Sequence, residues 1–180
     1  MKLTWFADTT IRIHIGGEIL VADADRAPGF VDRTELVSGA DRRFSLVSQG
    51  TALPSIDPAA WRPRPAPRAI DADAPAAPVQ LFSIGERTIL VDAVGEPPLV
   101  LMAGAVPPRF GRWADDAVMV LFGDGEALIT TGTVLLDIAR PRLVALAADE
   151  QHIETAVAEL REHLDGAALV SLEPGLALEV

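Results

Sequence analysis

The sequence predicts a layered α/β (α+β) domain: a two-sheet sandwich, richer in strand than in helix, with few, short flanking helices. Three observations lead there. Short runs of β-branched and aromatic residues recur along the chain between Gly-containing turns. Helical periodicity is clear only once, near the C-terminus. Apolar residues make up 49% of the 180, enough for a sizeable core, so a single domain over 1–180 is expected.

Taken in order, residues 3–6 and 11–15 read as strands, and in Ile11-Arg12-Ile13-His14-Ile15 apolar and polar residues alternate as on a half-buried strand. Gly16-Gly17 is hairpin-turn chemistry, and 18–22 returns as a second strand. The next fifty residues are less regular, with one short strand expected near 43–48. Residues 54–78 hold seven of the fourteen prolines, which suits neither a sheet interior nor a long helix, so a surface excursion within the domain is expected. Strands are then expected at 79–84, 88–94 and 99–102, separated by Gly-Glu-Arg and Gly-Glu-Pro-Pro turns. The continuous apolar run 117–122 suits a buried strand, Gly123-Asp124-Gly125 a turn, and Thr131 the cap of a short helix ending before Pro141. Another buried strand spans 143–147.

The helix expected at 150–164 carries Ile153, Val157, Leu160 and Leu164 on one stripe, with Asp149 to cap it and Gly166 to end it. Strands at 168–172 and 177–180 close the chain around Glu173-Pro174-Gly175.

Composition narrows the function. A net charge of −11 with 15 scattered basic residues argues against nucleic acid and anionic membranes as partners. The absence of cysteine excludes disulfides, thiolate metal sites and cysteine nucleophiles. The N-terminus has no signal-peptide pattern, and no apolar stretch reaches the ~18 residues of a membrane span, so a cytoplasmic protein is expected.

Three stretches together resemble the metallo-β-lactamase fold, in the branch of ascorbate-6-phosphate lactonase-like hydrolases. MKLTWF…TTIRIHIGGEILVADAD resembles the opening pair of strands, which ends in an Ile-Asp-Pro-like corner. LVLMAGAVPPRFGRWADDAVMVLFGDG resembles the strand ending in Ala-Gly-Asp and the next, ending in Pro-x-Gly-Gly. TGTVLLDIARPRLVALAADE…VSLEPGLALEV resembles the helix, the Pro-Lys-x-Val-Ile-Pro-x-His strand and the terminal hairpin. The match covers about 1–25 and 80–180; residues 26–79 do not align.

The resemblance implies a two-sheet sandwich and, for intact members, one or two zinc ions held by His and Asp, with a metal-bound hydroxide as nucleophile. This chain departs from that pattern. It has no His between His14 and His152, so the His-x-His-x-Asp-His loop is absent. The bridging Asp position reads as Ala105, and the final His falls within Ala147-Ala148-Asp149. A degenerate member without cofactor or metal is therefore expected.

Few residues remain for chemistry. Asp8, Asp23 and Asp25, at strand ends by the presumed mouth, can bind Mg²⁺ or Ca²⁺ or simply cap turns. Arg109, Arg112 and Trp113 can clasp an anionic or aromatic ligand, or Trp113 can fold down as a plug. Arg62, Arg64 and Arg68 can form a patch for an acidic partner or solubilise the excursion. His14 reads as a histidine on the wetter sheet face. His152 and His163 lie too far apart along one helix, about 16 Å, to share a metal, and the helix dipole accounts for His163.

The reading favoured is a non-catalytic metallo-β-lactamase-fold module that binds a small ligand or a protein, with no catalytic or metal residue. Asp8, Asp23, Asp25, Arg109, Arg112 and Trp113 are its candidate ligand contacts. The alternative is a hydrolase with an oxygen-rich metal site at the three Asp residues. A third expectation is a homo-oligomer or a complex through the excursion or an apolar sheet edge.

Overall fold

A computed structural model of the chain describes residues 1–47, 53–65 and 77–180. Eleven strands among the described residues form two sheets: β1 (Lys2–Ala7), β2 (Thr10–Ile15), β3 (Glu18–Ala22), β4 (Arg42–Phe44), β5 (Gln80–Gly85), β6 (Thr88–Asp92), β7 (Leu99–Met102), β8 (Val118–Phe122), β9 (Leu143–Ala147), β10 (Ala168–Ser171) and β11 (Ala177–Glu179). The first sheet runs β11-β1-β2-β3-β4 and the second β10-β9-β8-β7-β6-β5. This is the two-sheet α/β sandwich with few, short helices that the strand pattern implies.

The alternation in β2 decides which face is buried. Ile11, Ile13 and Ile15 point inward with Leu3 and Trp5, against Leu99, Leu101, Val118 and Val120 of the second sheet. Strands β7 to β9 are buried along almost their whole length because both faces are covered. Their far face packs under two helices, α2 (Gly125–Ile138) and α3 (Glu150–Leu160), through Leu128, Leu135 and Leu160.

Helix α2 begins six residues before the expected cap at Thr131. The Asp124 side chain accepts from the Ala127 amide at 2.9 Å and starts it, so Gly123-Asp124-Gly125 is a helix entry and not a bare turn. Thr130, Thr131 and Gly132 are weak helix formers, but Gly132 lets α3 come close: a Cβ there would lie 2.7 Å from the Leu160 methyls of α3, so Leu160 would have to move. Helix α3 closes in a 3₁₀ turn at 161–163 and stops short of Leu164; its fully buried residues are Ala156 and Leu160, with Ile153 and Val157 at the margin.

The unaligned third contains a short helix, α1 (Arg33–Val37), started by Asp32, which accepts from the Thr34 amide at 2.8 Å. Leu36 covers Val21 on the outer face of the first sheet. Arg12 ties the helix down by donating to the carbonyls of Leu36 and Ser38. Its Nε also donates to His14 Nε2 at 3.3 Å, so His14 is half-buried beneath a cation.

That placement sets a pH dependence. Burial, then the charges of Arg12 and Lys2, hold the His14 pKa below its ordinary 6.5. Between the folded value and 6.5 the unfolded chain binds more protons. His14 therefore costs nothing above 6.5, and stability is lost as pH falls from there through the folded value. Urea unfolding from about pH 7.5 to about pH 5.5 should show a steeper loss in wild type than in His14→Gln. Parallel curves would remove His14 from the account.

The described part of the Pro-rich excursion is held against the body. Residue Ser55 bridges Ser83 at the edge of β5, with Ile56 donating to the Ser83 carbonyl at 3.0 Å and Ser83 to that of Pro54 at 3.0 Å. Arg64 then donates to the Asp92 carboxylate at 2.6 Å and to its carbonyl at 2.9 Å.

Candidate functional site

Strands β7, β8, β9 and β10 are parallel, so their C-terminal ends open on one side of the sandwich. The ends of β1 and β3 join them there. The Leu172 amide donates to Leu146 at the end of β9, and the Gly175 amide to Trp5 in β1. Asp23, just past β3, holds residues 45–46, which face the β5–β6 turn across a cleft of about 700 Å³.

The sequence candidates at this mouth are engaged by the protein itself. Asp8 is exposed and pairs with Arg26, its Oδ2 accepting from Nε at 2.6 Å. The Asp8 carbonyl accepts from the Trp5 indole at 2.9 Å, in a turn where Asp8 has φ +45°. Asp23 is buried with φ +46°; its carboxyl accepts from the Ser45 hydroxyl and, at 3.0 Å, from the Leu46 amide. Its carbonyl accepts from Thr10 Oγ1 at 3.0 Å. Asp25 lies exposed in the 3₁₀ turn at 24–26. Asp8 and Asp23 thus belong to one corner but to different partners.

Among the described residues no three His, Asp or Glu side chains converge. Ala105 follows β7, and Ala147 and Ala148 are buried at the end of β9, where methyl groups supply no lone pair. His14 is on the outer face of the first sheet, and His152 and His163 lie on the α3 side of the second.

The Arg109, Arg112 and Trp113 loop closes a different region. Trp113 is 5% exposed and meets Trp61 and Phe110 edge to face, with ring centroids 5.0 and 5.6 Å away. Its indole donates to the Pro58 carbonyl at 2.7 Å, so it is the plug that pins the excursion. Arg109 lies 4.0 Å from Asp57, and Arg112 is exposed. Arg62 is exposed and bonded to local carbonyls, Arg64 is tied to Asp92, and Arg68 lies outside the described residues.

The cleft itself is built from residues that sequence reading left as turn and loop. Leu46 and Ile89, buried in the core between the sheets, and Ile84, buried in the core under the helices, meet the cleft from its two sides, while Ser55, Glu86 and Arg87 are exposed at its rim. The rim is fixed from behind. The Ala103 amide donates to the Arg87 carbonyl at 3.0 Å, and Thr88 Oγ1 to the Glu86 carbonyl at 3.1 Å. Gly104 admits the Glu86 carbonyl so closely that a Cβ would sit 2.4 Å from its oxygen. No sequence signal at 85–88 distinguishes this rim from an ordinary hairpin tip.

No protein-family model matches the chain, and no curated protein does. Among solved structures it is similar to Igni18, described as a novel metallo hydrolase from the hyperthermophilic archaeon Ignicoccus hospitalis. The two share 13% identity over 99% of this chain and 98% of that one, with a TM-score of 0.46.

Proposed function

We propose that this chain is a non-catalytic relative of metallo-β-lactamase-fold hydrolases that binds a small molecule in the cleft at the mouth of its sandwich. One observation carries the reading: the buried Asp23 carboxyl faces the loop at 45–46 and is used to build the cleft wall. In the metal-ligand role it would need free lone pairs facing a cation that other donors also face. Here Asp8 is neutralised by Arg26, the bridging Asp position reads as Ala105, and the final His falls within Ala147-Ala148-Asp149.

Metal content is the first test. Untagged protein purified with zinc, manganese and magnesium supplied should carry none of them at stoichiometric level. Native mass spectrometry of the same sample reads any small molecule retained in the cleft. One or two metal equivalents with hydrolytic turnover, lost in the combined Asp8→Ala, Asp23→Asn, Asp25→Ala variant, would establish the oxygen-rich hydrolase instead.

A further inference from the structure

We propose that the chain pairs with a second copy of itself through the free edge of β10, antiparallel across a twofold axis at Val170. The inference is independent of what the cleft holds. Four sheet edges are present among the described residues, and three are guarded. Residues 54–56 bond along β5. Two of the three residues of β4 are arginines, and β11 is three residues long and ends in Glu179. Strand β10 has no such guard. From Gly166 to Leu172 the chain carries neither charge nor proline. Among the described residues no strand or loop pairs with its outer side. Strands β8 and β9 are buried almost throughout, as parallel strands ordinarily are, whereas Ala168 and Ser171 are exposed and Leu169 and Val170 half-buried.

The ladder fixes which backbone groups are free. The Ala168 amide donates to the Arg142 carbonyl at 3.1 Å, and the Leu172 amide to that of Leu146 at 2.8 Å. Alternate residues therefore turn both N–H and C=O towards β9, and those of Leu169 and Ser171 point away from it. An antiparallel copy centred on Val170 sets Leu169 against Ser171 of the other copy, and Ser171 against its Leu169. Each is a hydrogen-bonded pair, so every outward group of 169 and 171 is used. The two Val170 side chains meet across the axis as a β-branched pair, beside the core between the sheets that Val170 already edges. Charge supports the same register. Residue 167 stands opposite residue 173 of the other copy, and Arg142 lies beside 167, one residue before the pairing of Leu143 with Ala168. Arg142 and the other copy's Glu173 are thus two strand spacings apart, about 10 Å, on both sides of the axis. Alternation puts both on the helix side of the sheet, with Val144, Leu146 and Leu169. Both are exposed, and neither has an ion pair among the described residues. The contact uses each free edge once and so closes at two copies.

Sedimentation of the full chain from sub-micromolar to high-micromolar concentration tests this, together with amide exchange by NMR. A dimer is expected, in which the Leu169 and Ser171 amides exchange slowly and lose that protection on dilution. Ser171→Pro removes one outward donor per copy at an edge position that tolerates proline, and should weaken association at least about tenfold. Arg142→Glu and Glu173→Arg should each weaken it about tenfold, and the two together should restore it, which a purely structural role for either residue would not do. Unchanged circular dichroism confirms the fold of each variant; if Ser171→Pro does not fold, the charge exchange decides alone. A monomer throughout the range, unprotected 169 and 171 amides in a dimer, or a dimer indifferent to Ser171→Pro would overturn the inference. Charge variants without effect, or without mutual rescue, remove the register and the inference with it.

Discussion

Replacing Trp113 by alanine should cost about 4 kcal/mol of unfolding free energy, the range seen when a large buried aromatic is truncated. Trp113 fills the space beneath the excursion, and its loss removes two edge-to-face contacts, with Trp61 and Phe110, as well as area burial. It also removes the indole donor to Pro58, leaving that carbonyl only the Gly111 amide at 3.1 Å. Trp113→Phe keeps most of the volume and gives up the hydrogen bond, so its cost should be about 1–2 kcal/mol. Urea denaturation followed by far-ultraviolet circular dichroism measures both. Equal costs would mean that the hydrogen bond, and not the packing, holds the plug.

Arg64→Met should lose about 3–4 kcal/mol, because it strands a carboxylate that has been taken out of water. The Asp92 side chain is 4% exposed and that of Arg64 24%, so solvent does little to screen either. In the double variant Arg64→Met, Asp92→Asn no charge is left behind, and most of the loss should return. The cycle of single and double variants isolates the pair from the packing of each side chain. An additive cycle would show that the clamp between the excursion and β6 contributes no coupling.

Both predictions concern a segment whose sequence says little beyond its prolines. That prolines keep 54–65 off the sheet interior is local chemistry, visible in the residue types. That Pro58 accepts from Trp113, 55 residues away, and Arg64 reaches Asp92, 28 away, is not. Local patterns carry no term for contacts at such separations.

The candidate site divides in the same way. What the sequence lacks can be read directly, since the absence of histidine between residues 14 and 152 and the alanines at 105, 147 and 148 are facts of composition. The destiny of the carboxylates is another matter. Asp8 and Asp23 look equivalent at two strand ends, yet one meets Arg26 in solvent and the other is buried against residues 45 and 46. The partners that separate them, Arg26, Ser45 and Leu46, come from the less regular stretch after β3. Glu86 and Arg87 show the converse: an unremarkable hairpin tip becomes a charged rim only because the loop after β4 stands opposite.

By itself, the sequence determined the strands and their inward faces. Ile11, Ile13 and Ile15 alternate, 118–122 is apolar throughout, and Gly16-Gly17, at φ +57° and +82°, makes the tight turn between β2 and β3. Period, β-branching and turn chemistry act over a few residues, so they are legible there. Only the tertiary structure decided where α2 begins, that α1 exists, which carboxylates are used up, and where a cleft opens. Helix α2 runs through Thr130 to Gly132 with Leu160 of α3 packed close over Gly132, and the cleft exists because two distant loops face each other. Those outcomes depend on packing between elements remote in the chain, where burial outweighs local preference.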